Sequence, residues 1–434
     1  MKHRPISINS ASAIFWGCKL HSYILLGFLL LPGFLFISCK KSDPLPVPIS
    51  NEVRLGAILD LTGLYSEEGL AGKAATEAAI ADLNQRYQMA GSAVRFSVRY
   101  KDAAMDTAKA LAAAREFYNE GIRLLVSGPS ISSELKAIKP FLDANHMLAL
   151  NCFSTTPVLA IPDDYIFRLI TDDNVQGKAT ARMMFTDGIK AMVPVWCIDT
   201  YGNGLAQTVK EQFTAMGGTV YSGVSYATGS VNYTAVIQSA AQQVTQAIAT
   251  YGASGVAVLL ISFQDAADFF KAAASVGEMG QIKWYGCDAN TKKVTVTDDP
   301  EAATFAVKVR FAAPIMAIGT ASSVPQAAVS LAARVKAVTG SDPDDMALTA
   351  YDAVIIYSQC YNLIQKYDAT LIKTLLPSVC ASYNYLGISR TLNAAGDLAT
   401  ANYIFWTVNP TPGGWAWESY CTWFADGDYI ILKP

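Results

Sequence analysis

Residues 122–153, IRLLVSGPSISSELKAIKPFLDANHMLALNCF, decide how the chain is read. IRLLVSGP is an apolar run that ends at a Gly-Pro turn. ISSELKAIKPFLDANH has helical spacing, and MLALNCF is a second apolar run. Strand, helix, strand is the unit of a parallel sheet with helices on its faces. Each strand leads into a loop dense in hydroxyls, SGPSISSEL at 127–135 and NCFSTTP at 151–157, and neither loop carries a positive charge.

The same alternation extends in both directions. Upstream, VRLGAILDLT and VRFSVRYKDA read as strands, and GLAGKAATEAAIADLNQRY and TAKALAAAREFYNEG read as helices, the latter stopped at Gly121. After residue 171 the rhythm restarts. AMVPVWCID, TVYSGVSYA, GVAVLLIS and IKWYGCD are strand-like, separated by helical segments beginning near Asn174, Asn203, Asn232 and Gln264. The chain thus holds two α/β units of similar build, with no solenoid period. Past residue 313 there is no third unit. VPQAAVSLAARVKAVTG and MALTAYDAVIIYSQCYNLIQKY read as helices and SRTLNAAGDLATANYIFWTVNP as a hairpin, completing the two units as the chain crosses between them. The aromatic tail GGWAWESYCTWFADGDYIILKP has no evident place in this scheme.

Of 434 residues, 52 % are hydrophobic and 16 % charged, enough for large cores. Residues 1–38 are basic, without an acid, and end in the apolar run YILLGFLLLPGFLFIS, the pattern of a secretory signal. Pro32 and Gly33 interrupt a run already short for a membrane span. Ile37 and Ser38 before Cys39 resemble the lipobox of bacterial lipoproteins, although Phe36 departs from its usual Leu. The expectation is lipidation at Cys39 and a Pro-rich tether over 39–51; ordinary cleavage or a retained anchor is the alternative. Removing the leader takes away Lys2, Arg4 and Lys19, so the mature chain is more acidic than the full-length net charge of −3. No basic patch suits nucleic acid. Six cysteines remain, Cys152, Cys197, Cys287, Cys360, Cys380 and Cys421. Pairing of Cys360 with Cys380 or Cys421 is the most plausible disulfide, and buried thiols are the alternative. No CxxC, HExxH, GxGxxG or GxxxxGK[ST] occurs, and His146 is the one histidine beyond the leader, so no cofactor, metal or catalysis is expected.

VRLGAILDLTGLYSEEGLAGKAATEAAIADLN, LLVSGPSISSELKAIKPFLDANHMLALNCFSTTPVL, IDTYGNGLA and RTLNAAGDL together resemble type I periplasmic binding proteins of the branched-chain amino-acid group, over residues 52 to about 408. The resemblance implies an α/β fold of two Rossmann-like lobes with parallel sheets. Three crossovers near residues 171, 313 and 386 join residues 52–171 with 314–386, and 172–313 with 387–434. A ligand would close between the lobes, as hinge motions do in this class. It puts Ser132, the backbone at Phe153, and Thr155 at carboxylate-binding positions, with Ser133 beside them. There a helix N-terminus and strand ends favour an anion; plain helix caps are the other reading. Asp288 aligns with the acid that meets an ammonium group, and Tyr201 and Phe263 with aromatic walls. A helix cap for Asp288 and core packing for Phe263 are the alternatives. Glu68, in YSEEG, is a departure: it either faces the cleft and favours a polar or cationic ligand, or is a solvated residue at a helix start, with Tyr65 supplying the aromatic. The implied role is capture of a small amino-acid-like ligand for an ABC permease. The alternative is a lipoprotein that uses the fold as a sensor or protein-binding scaffold.

Overall fold

The computed structural model describes residues 51–229, 231–387 and 389–433. The leader, Cys39 and the tether up to residue 50 lie outside them. The first sheet contains β1 (Glu52–Leu59), β2 (Arg95–Asp102), β3 (Leu124–Ser127), β4 (Leu148–Asn151) and β5 (Ile166–Arg168), in the order β2-β1-β3-β4-β5. All its neighbours are parallel. Between them run α1 (Ser66–Met89), α2 (Thr107–Asn119) and α3 (Ser132–Ala144). β3 and β4 are buried at every residue, which is why they read as unbroken apolar runs.

The second lobe begins with α4 (Asp173–Thr186). It continues through β6 (Ala191–Cys197), α5 (Thr200–Ala215), β7 (Thr219–Val220), β8 (Val224–Tyr226), α6 (Tyr233–Tyr251), β9 (Val256–Ile261) and α7 (Ala266–Ala274), then β10 (Lys283–Tyr285), α8 (Val294–Thr297), α9 (Pro300–Lys308) and β11 (Ala312–Met316). TVYSGVSYA is two short strands rather than one. Gly223, at φ 74°, sits where a side chain would meet the Pro194 carbonyl, and β8 beyond it pairs with β6.

The chain then returns to the first lobe. α10 (Gln326–Thr339), α11 (Asp345–Ile364) and α12 (Ala369–Ser382) pack there. Tyr357 on α11 donates to the carbonyls of Leu125 and Leu148, and Arg334 on α10 bonds Asp82 on α1. The expected hairpin at 389–410 is a single bridge, Leu392 to Leu398, followed by β12 (Tyr403–Thr411). β12, β13 (Gly414–Phe424) and β14 (Tyr429–Leu432) extend the second sheet beyond β11, all antiparallel. The aromatic tail thus forms a sheet extension: six strands of this sheet, β6 to β11, pair in parallel, and the tail adds three more by antiparallel pairing. The six described cysteines are free and buried, so the expected disulfide is not formed.

Two buried ion pairs hold the crossovers. Arg168 meets Asp397 through Nε at 2.5 Å and Nη2 at 2.6 Å, and its Nη1 donates to the carbonyls of Ser154 and Thr156. Arg390 meets Asp352 at 2.6 Å, donates to Leu169 O, and shares that carboxylate with Tyr383.

Candidate functional site: a cleft between the two lobes

The carboxyl ends of both sheets face a nearly filled space. Its walls are Tyr65, Ser130, Ile131, Ser132 and Phe153 from the first lobe and Tyr201, Phe263, Asp288 and Ala289 from the second. About 10 Å³ remains open, room for roughly one water. Four aromatic rings close it. Tyr65 stands edge-on to Phe153 and Phe263, with centroids 6.5 and 5.7 Å away, and Phe263 packs on Tyr201 at 5.9 Å.

One pole lies at the start of α3. The preceding loop presses on β1: a side chain at Gly128 would collide with the Ile58 carbonyl, and Ser130 Oγ accepts from Asp60 N at 3.1 Å. Ser132 is the first helical residue, not the cap, and Ser154 Oγ donates to its Oγ at 3.1 Å. First-turn N–H groups lack intrahelical partners, which gives this pole its positive potential. Beneath it, Asp60 and Glu134 meet. Asp60 Oδ2 and Glu134 Oε1 each lack a donor as bare carboxylates, and one proton between them satisfies both. Burial and the Asp60 charge push Glu134 up to about 10, so it is the acid of the pair at neutral pH. The unfolded chain releases that proton near pH 4.5, so the pair favours folding below that pH and weighs against it as pH rises toward 10. Glu134→Gln, which keeps a donor for Asp60, should therefore be more stable than wild type at pH 8 by about 1–3 kcal/mol and equal near pH 4. Urea melts at the two pH values check this, and parity at pH 8 would refute the shared proton.

The opposite pole is acidic. Asp288, 4 % exposed, accepts from Tyr201 OH at 2.5 Å and from Ala289 N at 2.8 Å. Its own N–H donates to Gln176 Oε1, while Gln176 Nε2 donates to Asp173 Oδ1. Burial raises Asp288 to about 6, against the pull of the Tyr201 and Gln176 hydrogen bonds. Burial, and then the Asp288 charge, push Asp173 well above the carboxylate range, and its Oδ2 has no hydrogen-bond partner among the described residues. Sequence reasoning missed Asp173. Its one signal was a pair of acids at the start of the helix read from Asn174.

The remaining expected residues are placed differently. Thr155 is buried but is not a wall of the space; its carbonyl accepts from Asp173 N at 2.8 Å. The Phe153 ring is a wall, but its N–H donates to Asn151 Oδ1 at 3.0 Å, so that backbone donor is already used. Ser133 Oγ accepts from Thr200 N at 3.2 Å and ties the lobes together. Although Ser133 and Lys136 have S-x-x-K spacing, Lys136 is exposed. Glu68 is neither a cleft wall nor solvated. It is buried in an ion pair with Lys293 of the second lobe, whose Nζ lies 5.8 Å from the centroid of the Tyr65 ring. Lys293 carried no sequence signal. His146 is exposed, stacks on Tyr165 and precedes β4, at the amino end of that strand, opposite the carboxyl ends that face the cleft.

A family model described as periplasmic binding protein matches residues 52–375. An uncharacterised protein of Methanocaldococcus jannaschii is 26 % identical over 421 residues, covering 91 % of this chain and 97 % of its own. The leucine-binding protein LivK of Thermotoga maritima superposes with a TM-score of 0.67 at 17 % identity, over 88 % of this chain and 99 % of its own. A Rhodopseudomonas palustris solute-binding protein, solved with 3,4-dihydroxybenzoic acid, gives 0.68 at 16 % identity, over 88 % and 98 %. The match spans most of both lobes and takes in every cleft residue named above, so the chain belongs to the periplasmic binding protein family.

Proposed function

We propose that the chain is an extracytoplasmic solute-binding protein that captures a small zwitterion, an amino acid or a close derivative, and passes it to an ABC permease. The observation that carries this is the pairing of opposite poles across the lobes: the N-terminus of α3 with Ser132 on one, Asp288 with Asp173 and Tyr201 on the other. A carboxylate suits the first and an ammonium the second. With about 10 Å³ open, entry requires the lobes to part, and a ligand touching both favours their closing. The solved relatives named above include a leucine-binding protein and one holding an aromatic acid, in line with a carboxylate-bearing ligand. A thermal-shift screen of amino acids, amides and short peptides against the mature chain tests the reading. Saturable shifts confined to compounds with both an amine and a carboxylate support it, and no shift with any of them overturns it.

The same reading anchors the protein by lipid at Cys39, supported by the basic, apolar, Ser-Cys order of the leader. Metabolic labelling with a palmitate analogue should mark the wild type and not Cys39→Ala. Equal labelling of the two would remove the anchor from the proposal.

A further inference from the structure

Beyond Tyr65 lies a larger cavity of about 280 Å³. Both lobes build it. The first residues of α1 and the loop between α10 and α11 face the segment from Thr291 to Thr295. Four carboxylates line it, Glu67, Glu68, Asp342 and Asp344, against Lys292 and Lys293. Both lysines are already engaged. Lys292 Nζ donates to Pro343 O at 2.7 Å and stands 4.8 Å from the centroid of the Trp406 ring, while Lys293 pairs with Glu68 Oε1. Glu68 Oε2 is left over: its side chain is 4 % exposed, and the oxygen has no hydrogen-bond partner among the described residues. A buried, ionised oxygen without a donor is costly, so this wall is incomplete without a cation.

We propose that this cavity is a second binding site, for a small aliphatic amine or diamine whose ammonium donates to Glu68 Oε2 while its methylenes lie against Leu70 and Val294. Burial pushes the Glu67 carboxyl up, and an arriving ammonium would pull it back down. Asp342 already pairs with Lys336 at 2.7 Å and Asp344 caps α11, so the charge that favours an amine over an anion comes from Glu67 and Glu68. Because the walls belong to both lobes, an occupant stabilises the closed arrangement and is thereby coupled to the cleft.

The test is a calorimetric titration of the mature chain with putrescine at fixed ionic strength, with butanediol as the uncharged control. Saturable binding of putrescine and none of butanediol is expected. Glu68→Gln should weaken putrescine at least about tenfold, the loss typical of a hydrogen bond to a charged group. The double variant Glu67→Gln with Asp342→Asn leaves the Glu68–Lys293 pair in place and should still weaken binding several-fold. It guards against Glu68→Gln failing to fold. No saturable heat, or wild-type affinity in the double variant, would overturn the site. So would a loss seen in Asp288→Asn but not in Glu68→Gln, which would put the amine in the cleft. The titration needs no cleft ligand, so its failure leaves the cleft reading standing.

Discussion

Asp288→Asn is expected to weaken a bound amino acid by about thirty-fold or more. Truncating one partner of a buried charge pair costs about 2–5 kcal/mol, and about 1.4 kcal/mol is tenfold in affinity. The asparagine keeps the volume and an acceptor for Tyr201, which bonds Asp288 at 2.5 Å, so the change removes charge rather than shape. The matching compound without an amine should bind both proteins within about twofold. A pH profile adds a signature that a folding defect lacks. Burial raises Asp288 to about 6, and an ammonium needs the ionised form, so affinity should climb as pH rises through about 6 and then level off. Stability of the unliganded protein should move the other way. The unfolded carboxyl titrates near 3.8, so its contribution is full below that pH and lost as pH rises through 6. Calorimetry of wild type and variant across this range decides it. Affinities within about twofold of each other, or a flat wild-type profile, would sink the acidic pole.

Breaking the Arg168–Asp397 pair should cost about 3–5 kcal/mol, because the surviving charge would be stranded without water. Arg168 and Asp397 are 0 % and 1 % exposed. The guanidinium also carries the carbonyls of Ser154 and Thr156, so Arg168→Met releases the loop that holds Thr155 as well as the crossover. Asp397→Leu leaves the arginine unpaired and should be comparably damaging. The double variant, with no charge left over, should recover most of the loss, as apolar replacements of buried pairs often do. Denaturant unfolding of the three variants measures it. A single variant within about 1 kcal/mol of wild type would show that the pair is not what clamps this crossover.

Much of the fold was legible because parallel strands covered on both faces are near-continuous apolar runs, and 124–126, 148–150 and 256–261 are unbroken ones. The cleft residues that were legible, Ser132, Tyr201, Phe263 and Asp288, lie at or just beyond strand ends, where this architecture puts its ligands. What stayed hidden depends on distance in the chain. Glu68 looked like a helix-start acid because Lys293 is supplied by the other lobe. The N–H of Phe153 looked free because nothing local shows that Asn151 turns back to take it. Asp173 reads as an ordinary N-terminal acid until Asp288 is brought beside it. The tail was obscure for another reason. Its strands are half-buried and antiparallel, and β13 alternates too weakly to announce a face.

The hydroxyl of Tyr357 rests on a carbonyl 232 residues earlier in the chain. A ribosome that has released β1 to β5 has therefore made a sheet whose cover, α11, is not yet synthesised. Closing such a long loop is slow, and contacts of this range form late. The first half of the polypeptide thus leaves the exit tunnel with a face it cannot yet bury, and its native packing cannot be completed until the helix ending at Ile364 emerges. For the exported chain proposed above that delay would be useful, because a translocation channel threads extended polypeptide and rejects a finished domain.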